Sequence, residues 1–138
     1  MSLAAKEAEL LAALAPLRTT QDRLAWLVAQ AQQRPLLPAE LRTDDRRVEG
    51  CLSKLWFVAE FRDGRCGFRT ESDSLIVKAV AGVLADFFSG ETAADILAHP
   101  AGLLTRLGIQ QHLTTNRRAG LARLEEKIRA FAAGHRAG

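Results

Sequence analysis

Hydrophobic positions along the chain change period several times, and each change marks an element. Leu10, Leu14 and Leu17 fall on one helical stripe that stops near Pro16. A second helix starts at Thr19 or Thr20 and carries Leu24, Leu27, Val28 and Ala31 on one face. The stretch RPLLPAELR, residues 34–42, is a loop punctuated by two prolines, and the polar run TDDRRVEG brings the chain to Cys51. Residues 54–61, KLWFVAEF, are rich in aromatic and branched side chains and read as a strand. Asp63-Gly64 then forms the centre of a two-residue type I′ turn. That turn predicts a register: Arg62 opposite Arg65, Phe61 opposite Cys66, Ala59 opposite Phe68, Phe57 opposite Thr70. Side chains alternate along a strand, so Leu55, Phe57, Ala59 and Phe61 share one face with Cys66 and Phe68.

Beyond the hairpin, Ser72 or Asp73 is placed to cap a helix over 74–88, apolar on nearly every side and therefore central and buried. A short helix is capped at Thr92 and ends before Pro100, another ends near Gly108, and Thr114 or Thr115 caps a long helix with the stripe Leu121, Leu124, Ile128, Phe131. Two helices, a hairpin and four helical segments make an α+β domain, with a small antiparallel sheet (hairpin about 54–71) packed against several helices. Residues 1–138 are expected to form a single domain.

Composition narrows the class without naming a chemistry. The chain has 138 residues, 48% hydrophobic and 25% charged, and 19 Lys+Arg against 16 Asp+Glu give a formal charge of +3. The signs are mixed along the chain, which argues against nucleic acid as a partner. Lys6, Glu7 and Glu9 interrupt what would be the apolar core of a signal peptide, and no stretch approaches a membrane span. The expected location is the cytoplasm, where thiols stay reduced.

The two cysteines have different settings. The register puts Cys66 on the apolar face, where a free thiol behaves as a small hydrophobe. Cys51 follows Gly50 and a polar run, as an accessible reactive thiol would, although a buried loop cysteine with no role fits the same pattern. A Cys51–Cys66 disulfide stays open, disfavoured in a reducing compartment. Metal binding is disfavoured because His99, His112 and His135 are scattered and two cysteines cannot fill a tetrahedral zinc site. Arg117 lies four residues before Leu121 and so leans toward the apolar stripe, while Arg118 is turned by about 100° toward solvent. A cation in the first turn of a helix opposes the dipole. A structural carboxylate, a thiolate or persulfide, or extension of the side chain to water would each resolve this.

Gly50-Cys51-Leu52-Ser53 followed by Trp56, then Ser72-Asp73 with Val77-Lys78, then QHLTTNRRAGL at residues 111–121, together resemble the SufE family of sulfur-acceptor proteins that partner cysteine desulfurases, a family that includes the CsdE proteins. The resemblance spans roughly residues 5–133. It implies an IscU-like fold, with Cys51 as the sulfur-accepting residue, Arg117 as an arginine near it and Asp73 as an aspartate close to the active-site loop. Ser53, Trp56 and His112 match motif positions, and Cys66 matches none with a role. The implied activity is that of an accessory persulfide carrier rather than a self-sufficient enzyme. Cys51 would take persulfide sulfur from a desulfurase, itself pyridoxal phosphate-dependent, stimulating it, and pass the sulfur to an iron–sulfur cluster assembly scaffold. The chain itself would need no cofactor. Service to a second desulfurase system, as in CsdE-like proteins, and a non-catalytic interaction module with an incidental cysteine are the alternatives. Oligomeric state, a homodimer included, stays open.

Overall fold

The computed structural model describes residues 2–50 and 53–136. Helices α1 (Leu3–Leu14) and α2 (Thr20–Ala31) come first. Two short 3-10 turns follow, Ala39–Leu41 and Asp44–Arg46, then strands β1 (Leu55–Arg62) and β2 (Arg65–Ser72). The chain continues through α3 (Leu75–Phe88), α4 (Ala93–Ala98), α5 (Leu103–Arg106) and α6 (Thr115–Gly134). This is the expected α+β order, with the two 3-10 turns in segments expected to be irregular.

The hairpin has the register the turn predicts, from Leu55 opposite Ser72 to Arg62 opposite Arg65. Asp63 and Gly64 both take positive φ, 53° and 78°, as a type I′ turn requires. Leu55, Cys66 and Phe68 are buried, and Phe57 stacks on Phe68 with ring centroids 5.7 Å apart. Phe61 departs from the expected core face. It is 41% exposed and lies against the ring of His135, just past the end of α6, near the turn end of the hairpin where the sheet is only partly covered.

Helix α3 is the centre of the molecule. Ten of its fourteen residues are buried, and it packs on β2, α2 and α6. Such a helix cannot rely on an amphipathic stripe; each neighbour covers a different side of it. Its cap is Ser74, whose side chain accepts from the Val77 amide, rather than Ser72 or Asp73. Both of those side chains are committed elsewhere, as described below. Thr19, Thr92 and Thr114 cap α2, α4 and α6, each accepting from the amide three residues on. No helix among the described residues is long and apolar enough to cross a membrane.

Candidate functional site

The segment around the first cysteine is held at its base by the start of β1. Val48 N–H donates to the Leu55 carbonyl at 2.8 Å, and Arg47 bridges antiparallel to Trp56. Val48 and Leu55 are both buried and serve as apolar pins. On the return side, Asp73 Oδ1 accepts from Lys54 N–H at 2.9 Å, while Asp73 N–H and Ser72 Oγ both donate to the Lys54 carbonyl. Asp73 is therefore a positioning residue at the foot of this loop. Cys51 itself lies outside the described residues, as does Leu52. Their flanking residues are described: Gly50 is exposed with φ 82°, in the left-handed region that favours glycine, and Ser53 is half-buried.

The 3-10 turns lead into this loop and are tied to the core by one buried carboxylate. Glu71 accepts from the Leu37 amide and the Ser72 amide, both at 3.1 Å, and pairs with Lys78 at 3.2 Å. Further along, the Thr43 hydroxyl donates to Asp45, which holds that carboxyl below its ordinary range. Two polar cavities flank the end of the segment. One of about 450 Å³ is lined by Asp44, Asp45, Arg47, Glu49, Gly50 and Lys127 among others. A second, of about 230 Å³, lies between Glu49 and the α6 residues Arg123, Glu126, Lys127 and Ala130.

Arg117 sits in the first turn of α6 and is half-buried, while Arg118 is exposed, in the sense the helical spacing predicts. No salt bridge to Arg117 is found among the described residues, nor any hydrogen bond from its side chain to Asp73 or Lys54. Arg123 of α6 lies near the described end of the loop, its Nη2 4.0 Å from where a Cβ on Gly50 would be, and Lys127 of the same helix lines the cavity beside Gly50. Sequence reasoning missed both. Nothing in the spacing of Arg123 and Lys127, four apart, tells which loop lies over that face of α6. His112 is exposed, and its neighbours are scaffold: Leu113 is buried and Gln111 accepts from the Thr20 hydroxyl.

Cys66 has the opposite setting. It is 1% exposed, opposite Phe61, with its backbone N–H and carbonyl bonded to Glu91 and Gly90. Burial alone pushes its thiol pKa up, so it resists ionisation.

The SufE, Fe-S metabolism associated domain matches residues 8–132. The sulfur acceptor protein CsdE of Escherichia coli (strain K12) is 34% identical over 118 residues, covering 83% of this chain and 79% of that protein. An uncharacterized SufE-like protein of Rhizobium meliloti (strain 1021) is 29% identical over 119 residues, covering 83% and 85% respectively. A hypothetical protein of Thermus thermophilus, known from its solution structure, has the same fold with a TM-score of 0.74 at 20% identity, over all of both chains. Motifs, fold and sequence matches lead to one conclusion: the chain belongs to the SufE family.

Proposed function

We propose that this chain is a sulfur acceptor, taking the sulfane sulfur of a cysteine desulfurase's persulfide onto Cys51 and passing it to an iron–sulfur cluster assembly scaffold, with stimulation of the desulfurase as the consequence. The observation that carries the reading is the contrast between the two thiols. Cys66 is sealed in the core with its pKa raised, which makes it a poor acceptor and leaves Cys51, in the segment between the Val48 and Lys54 anchors, as the candidate thiol.

The transfer is a thiol exchange that balances without an oxidant. The Cys51 thiolate attacks the terminal sulfur of the desulfurase persulfide, forming a new S–S bond at Cys51. The old S–S bond breaks, and the desulfurase cysteine leaves as its thiolate. Arg117 is assigned the role of favouring the anionic forms of Cys51 by charge pairing, and Asp73 that of holding the loop base.

Intact-protein mass spectrometry after incubation with a desulfurase, pyridoxal phosphate and L-cysteine, without reductant, tests this. A sulfur-sized increase that maps to Cys51, is lost in Cys51→Ser and persists in Cys66→Ala is the expected result. An increase on Cys66, or none with an active partner desulfurase, overturns it. The likeness to the Escherichia coli protein favours a second reading, in which a second desulfurase system loads Cys51 and the sulfur goes to acceptors other than a cluster scaffold. Loading rates with each purified desulfurase separate the two.

A further inference from the structure

Away from the cysteine loop, the outer edge of β2 runs into a cavity that the sulfur relay does not use. The Cys66 N–H and C=O are bonded to Glu91 and Gly90, and the Phe68 N–H donates to Ser89 Oγ at 2.9 Å. Alternate residues of an antiparallel strand turn their backbone groups to the same edge, so Thr70 comes next in that row. No hydrogen bond to the Thr70 backbone is found on that edge among the described residues. Thr70 instead lines a cavity of about 250 Å³ between β2, α3 and the stretch that follows α2.

The lining is apolar with an excess of cation. The apolar part comes from Leu37 and Phe68, both buried, from Gly82 and Ala85 of α3, and from Leu36, which is 67% exposed. The charged part is Arg34, Arg69, Lys78 and Asp86. Lys78 is neutralised by the buried Glu71 at 3.2 Å. Arg69 is exposed and takes part in no salt bridge among the described residues. Two guanidinium groups therefore stand against the one carboxylate of Asp86.

Arg34 is the better placed of the two. Its Nη2 pairs with Asp86 at 2.7 Å, while its Nη1 is buried with no hydrogen-bond partner among the described residues. It lies so close to α3 because residue 82 is glycine; a Cβ there would run into Nη1. Glycine inside a helix is destabilising, and a buried N–H without an acceptor is destabilising again. Both penalties are met in placing one guanidinium at the cavity wall. A carboxylate is the group that its planar fork of donors fits best.

We propose that this cavity binds a small carboxylic acid with a short apolar tail. The carboxylate is taken by Arg34, with Arg69 and the free Thr70 N–H as further donors, and the tail packs on Phe68, Leu36 and Leu37. The volume falls just below the roughly 300–1,000 Å³ of sites for drug-sized ligands, which suits a metabolite-sized molecule. The site uses neither cysteine and stands apart from the sulfur-acceptor reading.

The test is a titration of the intact protein with hexanoate, followed by amide proton–nitrogen shifts. Saturable shifts at Thr70, Gly82 and Arg34 are expected, with a Kd of about 1 mM. Hexanamide, which keeps the shape and loses the charge, should bind about tenfold more weakly, and so should sulfate, which lacks the tail. Arg34→Gln should weaken hexanoate about tenfold. Asp86→Asn removes the carboxylate that competes for Arg34 and should tighten hexanoate, by about threefold for so exposed a pair. The absence of saturable shifts at Thr70 with any straight-chain acid from butyrate to octanoate overturns the inference. Equal affinity for hexanamide, marking an apolar hole, or for sulfate, marking a bare cation site, overturns it too. So does full hexanoate affinity in Arg34→Gln.

Discussion

Replacing Glu71 should cost more stability than almost any other single polar change, because its carboxylate satisfies three groups at once. The side chain is 4% exposed and pairs with Lys78, itself 15% exposed, at 3.2 Å, while accepting from the Leu37 and Ser72 amides. Glu71→Ala leaves the ammonium and both N–H groups without that acceptor. Breaking a buried pair from one side costs about 3–5 kcal/mol, and each orphaned amide adds to it when it stays dry. Lys78 retains some access to water and can shift toward it, so about 3 kcal/mol is the expected loss. At about 2.1 cal/mol/K per residue, the unfolding entropy of a 138-residue chain is about 0.3 kcal/mol/K. The thermal midpoint should therefore drop by about 10 °C. Glu71→Gln keeps an acceptor and loses the charge, and should cost about half as much. The pair Glu71→Leu with Lys78→Met removes both charges and should recover the part of the loss due to the stranded ammonium, while the Leu37 and Ser72 amides stay without that acceptor. Urea and thermal unfolding of the four proteins decide the matter. A Glu71→Ala loss under about 1 kcal/mol, or a double variant no better than Glu71→Ala, would refute the account.

Three further outcomes are expected. Glu7 accepts from Arg106 Nε at 3.0 Å and from Arg106 Nη2 and His99, and the Arg106 hydrogen bonds hold its carboxyl below the ordinary carboxylate range. With a depressed folded-state pKa the unfolded chain binds the proton first, so this stabilisation is full above about pH 4.5 and fades as pH falls through the folded value. The urea midpoint should accordingly fall less between pH 6 and pH 3 in Glu7→Gln than in wild type, and equal falls would exclude Glu7 as the source. Arg117→Ala should slow sulfur loading more than Arg118→Ala, since Arg117 is the half-buried one of the two; the reverse order in a single-turnover loading assay would undo the assignment. Cys66 should remain unalkylated by iodoacetamide at pH 8 until urea unfolds the chain, and modification of Cys66 at a rate similar to Cys51 in the native protein would show that its burial is not maintained.

The hairpin register could be read from the sequence because two residues that tolerate positive φ, Asp63 and Gly64, leave the strands a single way to pair. The α4 cap, Thr92, was legible for a similar reason, while for α2 and α6 two adjacent threonines are competent by type and the sequence narrows the cap only to the pair. The α3 cap was not, since Ser72, Asp73 and Ser74 are all competent by type. What decides among them is tertiary: Ser72 and Asp73 are drawn to Lys54, nineteen residues back for Asp73, and only Ser74 is left to the helix. Phe61 shows the limit of alternation, which predicts a face but not whether anything covers it. Helical spacing ranked Arg117 as more enclosed than Arg118, as found, but a period carries no information about which loop crosses a helix. That is why the approach of Arg123 toward the Gly50 end of the loop had no signature in the sequence.

The pinned base of the loop limits how sulfur can be collected. Val48 is hydrogen-bonded to Leu55, and Cys51 is the third residue after Val48, so the chain lets its Cα travel no farther than about 10 Å from that anchor. On the proposed reading, a desulfurase persulfide would have to be delivered within that radius of Val48. If Cys51 is the acceptor, rigidity of the base should matter for loading, and Asp73 is the residue on which that can be tested. Asp73→Ala removes the acceptor of the Lys54 amide, an exposed group that water can serve instead, so the stability cost should be small, about 0.5–1 kcal/mol. The kinetic consequence should be larger. Hydrogen exchange at the Lys54 amide should quicken while the Leu55–Ser72 end of the ladder stays protected, and single-turnover sulfur loading should slow in proportion to the loosening. Asp73→Asn, which keeps an acceptor oxygen, should restore both. Unchanged Lys54 exchange in Asp73→Ala would mean that the Val48–Leu55 bond alone holds the base, and Asp73 would lose its place in the site.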